Sequence, residues 1–215
     1  MLRILLADDH EIVRRGLKEL LEEQAGWTVC AEASNGRQAV ELAVQTRPHV
    51  AVLDFSMPEL NGLEATRRIR QTVPATEVLI FTMHGSEALI REVLSAGARG
   101  YLLKSDAARQ LIPAVESVSR HMPYFSGRVS AVVLDGFLKG RPAEPRPLGA
   151  ERLTSREREI VQLLAEGNSN KAIASRLDLS VKTVETHRAS VMRKLELNSL
   201  ADIIRFAVRN RMVEP

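Results

Sequence analysis

The sequence predicts two domains of different class, a doubly wound parallel α/β domain followed by an all-helical one. Three observations carry this. Up to about residue 120, five short apolar runs alternate with five amphipathic helical stretches, the alternation that yields a parallel sheet with helices on both faces. Residues 140–149 then place three prolines and two glycines in ten positions, a composition that favours an extended spacer over a packed segment. From Leu153 onward the punctuation is that of short helices. The chain is thus expected to divide into an α/β domain at 1–120, a linker at 121–148 and a helical domain at 149–215.

Taken in order, Leu2–Ala7 is an apolar strand broken only by Arg3, and Glu11–Glu23 follows with Val13, Leu17, Leu20 and Leu21 on one stripe. Thr28–Ala33 is a second strand, and Gly36–Thr46 a helix with Ala39, Val40, Ala43 and Val44 inward. Val50–Asp54 is a short β-branched-rich strand of the buried parallel kind. Pro58 and Gly62 punctuate the loop after it, and a helix runs from about Glu59 to Gln71. Glu77–Thr82 is the fourth strand, Leu89, Val93 and Ala96 mark the fourth helix, and Tyr101–Lys104 is the fifth strand. A helix over about Asp106–Ser119 closes the set. In the linker, Val129, Val132, Val133 and Phe137 stand at near-helical spacing, which predicts a short helix, with a strand as the alternative.

In the second domain Thr154-Ser-Arg-Glu157 forms a capping box ahead of Ile160, Val161 and Leu164. Gly167 stops that helix, and Ser169 caps the next, which carries Ile173 and Leu177. Asp178-Leu-Ser180 turns the chain into a third helix ending near Leu195, and Ser199 with Asp202 opens a fourth, with Ile203, Ala207 and Val208 inward. Two short helices joined by a tight turn make a helix-turn-helix, whose second member reads a major groove in DNA-binding proteins. Val184, His187, Val191 and Leu195 form its core stripe, so His187 is expected to be a packing or capping residue rather than a ligand. Lys182, Glu185, Thr186 and Ala189 are the candidate base-facing residues, Arg188 and Arg193 the candidate phosphate contacts, and Lys171 and Thr183 further candidate DNA-binding residues. The same pattern also fits a helical bundle with a solvated basic face.

Charge and composition narrow the function. The chain has 215 residues, 45% hydrophobic and 27% charged, an ordinary globular balance. Residues 1–125 hold 14 basic against 16 acidic side chains, and 126–215 hold 16 against 11, so the net charges are −2 and +5. Only the second part suits a polyanion. There is no membrane-length apolar run, no signal-peptide pattern, and one cysteine, Cys30, which excludes an internal disulfide. The expected address is the cytoplasm.

The polar residues that end the strands carry the chemistry. Strand one runs into Asp8 and Asp9, strand three ends in Asp54, strand four in Thr82 and strand five in Lys104. Open α/β sheets place ligands at this carboxyl edge. Carboxylates gathered there repel unless a cation separates them, and oxygen ligands with retained waters suit Mg²⁺. A lysine and a hydroxyl opposite suit phosphoryl oxygens. An aspartate closing a strand is commonly a turn or capping residue, and a salt-bridged sheet edge would explain Lys104 with Asp54, but not five groups on four strand ends.

At these residues the chain resembles the receiver domain of two-component response regulators, with Asp8-Asp9, Asp54, Met57-Pro58, Gly62, Thr82, Tyr101 and Lys104 in family order. The resemblance implies a flavodoxin-like five-stranded sheet in which Asp54 accepts a phosphoryl group from a sensor histidine kinase. Asp9 and Asp54 bind Mg²⁺ in such domains, helped by Asp8, largely through water, and by the backbone carbonyl of Ser56. Thr82 and Lys104 hold the phosphoryl oxygens, and Tyr101 is the aromatic that changes rotamer. Met83 is bulkier than the alanine or glycine many receivers have after the threonine.

Leu153 to Ala207 resembles the LuxR-type DNA-binding domain, through Leu-Thr-Ser-Arg-Glu, Gly-Asn-Ser-Asn-Lys-Ala-Ile-Ala and Lys-Thr-Val-Glu-Thr-His. The two together resemble the NarL/FixJ class of response regulators. That implies a phosphorylation-gated transcription regulator with a kinase, double-stranded operator DNA and the transcription machinery as partners. It also implies a homodimer when phosphorylated, with the 199–210 helix as a dimer contact. Glu185 stands where many relatives have lysine. The competing functions are a phosphate-independent DNA-binding regulator and a Mg²⁺-dependent phosphatase using Asp54 as nucleophile; no further base or lid supports the latter.

Overall fold

The computed structural model describes residues 1–127, 129–131 and 152–213. The chain divides into two compact units, Met1–Glu144 and Pro145–Pro215, each with its own core.

In the first unit β1 (Leu2–Ala7), β2 (Trp27–Ala33), β3 (Val50–Asp54), β4 (Glu77–Thr82), β5 (Gly100–Leu103) and β6 (Tyr124–Phe125) form one sheet in the order β2-β1-β3-β4-β5-β6. Every pairing is parallel. Between them lie α1 (Glu11–Glu22), α2 (Gly36–Thr46), α3 (Gly62–Thr72), α4 (Glu87–Ser95) and α5 (Ala107–Ser119). The two-residue period of the strands builds both faces. Leu5, Ala51, Leu53, Val78 and Ile80 point one way and pack with Ala43, Ile69 and Val93 from α2, α3 and α4. Their alternates Ile4, Leu6, Val50, Val52 and Leu79 point the other way, against Leu17 and Leu21 of α1 and Val115 and Val118 of α5. Since β3, β4 and β5 are covered on both faces, each is buried along its whole length.

The sheet has six strands where the sequence predicts five. β6 is two residues long, too short for any periodicity, and pairs through Gly100 with Tyr124 and Tyr101 with Phe125. It falls in the stretch expected to be linker. Gly127 and residues 129–131 are helical, with the Ser130 amide donating to the Ser126 carbonyl at 2.9 Å. The rest of the expected linker helix, and the whole of 140–149, lie outside the described residues.

α3 starts at Gly62, three residues later than expected, because Asn61 caps it by accepting from the Glu64 amide. Glu59 has φ 65°, which keeps that turn out of the helix. Leu20 and Val44, expected inward, are 36% and 48% exposed. They sit on the margins of stripes centred on Leu17–Leu21 and Ala39–Ala43.

Among the described residues the second unit has four α-helices, α6 (Ser155–Ala165), α7 (Asn170–Leu177), α8 (Val181–Leu195) and α9 (Leu200–Arg209). All four are capped at the N-terminus by the expected side chains, Thr154, Ser169, Ser180 and Ser199. Ile160, Leu164, Ile173, Leu177, Val184, Val191, Ile203 and Ala207 make the core.

Candidate functional site

β1 pairs with β2 on one side and β3 on the other, so the chain's winding reverses between β1 and β3. A doubly wound sheet opens its ligand crevice at that point. Asp8 and Asp9 follow β1, Asp54 ends β3, Thr82 ends β4, and Lys104 follows β5 at the start of a short 3-10 turn. Asp8 is 1% exposed and Asp54 3%.

Lys104 is the brace of this crevice. Its Nζ lies 2.8 Å from Asp8 Oδ2 and 2.9 Å from Asp54 Oδ2, and 5.6 Å from the Phe81 ring centroid. Burial pulls the ammonium's pKa down, but the two carboxylates outweigh it and hold it above the usual lysine value. One ammonium between two carboxylates leaves the triad with an excess negative charge. Burial therefore pushes Asp54 above the ordinary carboxylate range, with Asp8 adding to the push and Lys104 opposing it.

Asp9 is one-third exposed, on the open side. His10, which the sequence reading passes over, joins it: Nδ1 stands 2.8 Å from Asp9 Oδ1 and 3.3 Å from Asp8 Oδ1. The His10 amide donates to Asp8 Oδ1 at 2.9 Å, and an Arg14 guanidinium nitrogen donates to the Asp8 carbonyl at 2.7 Å. Asp8, Asp9, His10 and Asp54 bring ligand atoms within 4.8 Å of one another, a cluster able to hold a metal ion. The only signal for His10 in the sequence was adjacency.

The β3–α3 loop holds Asp54 in place by close backbone approach. The Gly62 amide donates to the Phe55 carbonyl at 2.8 Å, and a Cβ at Gly62 would overlap the Asp54 carbonyl oxygen. Gly36 likewise leaves no room for a side chain against the Leu60 carbonyl. Ser56 and Met57 lie in this loop, Met57 buried.

On the other side, Thr82 Oγ1 accepts from the His84 amide at 3.2 Å, and the Tyr101 hydroxyl donates to the His84 carbonyl at 2.6 Å. The His84 ring meets Phe55 edge-on at 6.4 Å between centroids. Tyr101 is fully buried, so it lies under the β4–α4 loop. Met83 is 70% exposed and turned out to solvent.

In the helical unit, α7 and α8 are joined by Asp178-Leu-Ser180, with Asp178 in the left-handed conformation and the Leu179 amide on the Ala174 carbonyl. Val184 and Val191 are buried, and His187 is half-buried as the stripe requires. Lys171, Lys182, Glu185, Thr186, Ala189 and Arg193 are exposed; Thr183 and Arg188 are half-buried. Glu157 is more than a cap. Its carboxylate accepts from the Thr154 amide at 2.8 Å, Lys194 Nζ at 2.6 Å and Ser190 Oγ at 2.9 Å, fastening α6 to α8. Burial opposes its charge, but these donors prevail and lower its pKa to about 2. Lys194 is thereby turned inward, a tie across 37 residues with no local signature in sequence.

A braced acidic crevice on a doubly wound sheet, in one chain with a helix-turn-helix bundle, is the build of a response regulator. Residues 4–116 match the response regulator receiver domain, and residues 151–207 the bacterial regulatory proteins of the luxR family. The oxygen regulatory protein NreC of Staphylococcus epidermidis is 36% identical over 99% of this chain and 100% of its own length. The transcriptional regulatory protein LiaR of Bacillus subtilis is likewise 36% identical, over 99% and 100%. Among solved structures, a LuxR-family two-component response regulator from Aurantimonas is 38% identical, with TM-score 0.61, over 63% of this chain and 97% of that one. RcsB of Salmonella enterica serovar Typhimurium, bound to promoter DNA in the presence of the phosphomimetic BeF3−, is 25% identical, with TM-score 0.60, over 97% and 98%. This chain belongs to the two-component response regulators that join a receiver domain to a LuxR-family DNA-binding domain.

Proposed function

We propose that the chain is a phosphorylation-gated transcription regulator in which Asp54 is the phosphoacceptor. The observation that carries this is Lys104 bridging Asp8 and Asp54, which gathers a buried cation, a buried carboxylate and a metal-competent cluster around one oxygen. The donor set fits Mg²⁺: it offers carboxylate oxygens, and Asp9 on the open side leaves room for retained waters. Asp9, Asp54 and Asp8, with the Ser56 carbonyl, are the residues that would hold it; bound there, the ion neutralises charge on the incoming phosphoryl group.

The residues of the chain do the rest. An Asp54 carboxylate oxygen forms a bond to phosphorus as the P–N bond to the kinase histidine breaks, the electron pair leaving on the imidazole nitrogen. Lys104 exchanges part of its contact with Asp54 for a phosphoryl oxygen, and the Thr82 hydroxyl reaches another, drawing the β4–α4 loop inward. Tyr101 and His84 are tied to that loop, so the movement reaches β5 and α4. In the second domain, Lys182, Thr183, Glu185, Thr186 and Ala189 face bases, while Lys171, Arg188 and Arg193 face phosphates, in a dimer on paired half-sites of operator DNA. A cytoplasmic protein served by a sensor histidine kinase fits this reading, with no enzymatic turnover of its own beyond gain and loss of the phosphoryl group.

Acetyl phosphate with Mg²⁺ should add one phosphoryl group to the wild type and none to Asp54→Asn, by intact-mass measurement. A phosphoryl group retained by Asp54→Asn would sink the assignment.

A further inference from the structure

We infer that Glu185 reads a cytosine in the major groove and so sets the base preference of this chain; this rests on the DNA-binding reading of α8. Glu185 is the sole acidic residue of α8 and is exposed, about 100° round the helix from the buried Val184.

Intramolecular roles do not account for it. Lys182 stands three residues before it and Arg188 three residues after. Pairs at that spacing close elsewhere in the chain, as Arg67–Glu64, Arg156–Glu159 and Arg205–Asp202. The side chain of Glu185 forms no hydrogen bond or ion pair among the described residues, nor do those of Lys182, Arg188 and Arg193. Capping does not explain it either. Ser180 is the N-cap and bonds the Thr183 amide, so Glu185 lies beyond the first turn, where the helix dipole's pull on an anion has faded.

What remains is a free carboxylate among three free cations on a face presented to a polyanion. Against phosphates it is a liability, because a carboxylate only accepts hydrogen bonds. Against base edges the same property selects. Guanine offers acceptors at N7 and O6, thymine an acceptor and a methyl, and adenine a donor beside the N7 acceptor. Cytosine alone presents an amine donor with no acceptor next to it, and Glu is its matching side chain. Recognition helices bring their N-terminal half to the bases, where Glu185 stands, five residues into a fifteen-residue helix.

The test is selection of bound duplexes from a randomised DNA pool by the phosphorylated full chain, run with wild type, Glu185→Gln and Glu185→Lys. Wild type should enrich a C·G pair at one fixed position of each half-site, and replacing that pair should weaken binding about tenfold. Glu185→Gln should move that position toward adenine and Glu185→Lys toward guanine, leaving the other positions unchanged. Both variants should also bind random duplex more tightly than wild type, a gain in affinity with changed selectivity that a merely structural role does not produce. If both variants select the wild-type base at every position, the inference is wrong while DNA binding stands. Retention of no DNA by any of the three proteins would overturn the DNA-binding reading and the inference with it.

Discussion

At the scale of single residues, the receiver crevice is held by a charge imbalance with opposite consequences for its two sides. Asp54 titrates above its unfolded value, so the folded chain holds that proton more tightly than the unfolded chain does. The sign follows: ionisation of Asp54 costs stability as pH rises through 3.8 and on through the raised folded value. Asp54→Asn should therefore raise Tm by a few degrees at pH 7 without divalent metal, and Mg²⁺ should stabilise the wild type more than the variant. Lys104→Ala should do the reverse, leaving two buried carboxylates without their cation and costing about 3 kcal/mol in urea unfolding at pH 7. That cost should shrink as pH falls and Asp54 takes up its proton. An Asp54→Asn protein less stable than wild type would refute this account of the triad. Asp8, Asp54 and Lys104 were legible because strand ends of a parallel sheet converge whatever lies between them. His10 was not, since its ring reaches Asp9 through a local backbone turn that no spacing encodes.

At the scale of elements, two joints decide whether the sites hold their shape. Gly62→Ala should leave the sheet folded but shift the β3–α3 loop, because the added Cβ would overlap the Asp54 carbonyl. Labelling by acetyl phosphate should slow at least tenfold, as expected when a reacting group is displaced by a fraction of an ångström to an ångström; an unchanged rate would show that the loop yields freely. In the helical unit Glu157 fastens α6 to α8, and its pKa of about 2 lies below the unfolded value of 4.5. Its contribution is thus fully present above pH 4.5 and lost as pH falls toward 2. Glu157→Gln should lower stability by about 1.5–3 kcal/mol at pH 7, the range for hydrogen bonds to charged groups. The difference from wild type should narrow below pH 4, followed by helical circular dichroism. The capping box itself was visible in sequence, and so were all four helix starts. The tie to Lys194 was not, because it depends on how α8 crosses α6 rather than on either helix alone. β6 escaped for another reason. Two residues cannot display a period, and its pairing is supplied by the edge of β5.

At the scale of the whole chain, the charge asymmetry predicts how the two parts divide their work. Residues 126–215 carry a net +5 and 1–125 a net −2, so DNA affinity should fall steeply with salt while receiver phosphorylation should not. Phosphorylated full chain should bind operator more tightly than unphosphorylated chain, as a dimer, in gel shift and sedimentation measured at one salt concentration. Equal affinity of the two forms would dismiss gating while leaving both sites intact. One detail of the sheet bears on how such gating is delivered. The Ser126 amide donates to the carbonyl of Tyr101 at 3.4 Å, and Phe125 is registered directly against Tyr101. Past β6 the polypeptide is therefore still hydrogen-bonded to the residue beneath the β4–α4 loop. A displacement of β5 would thus carry into β6 and the helical residues after it, which Val129 seats in the receiver core.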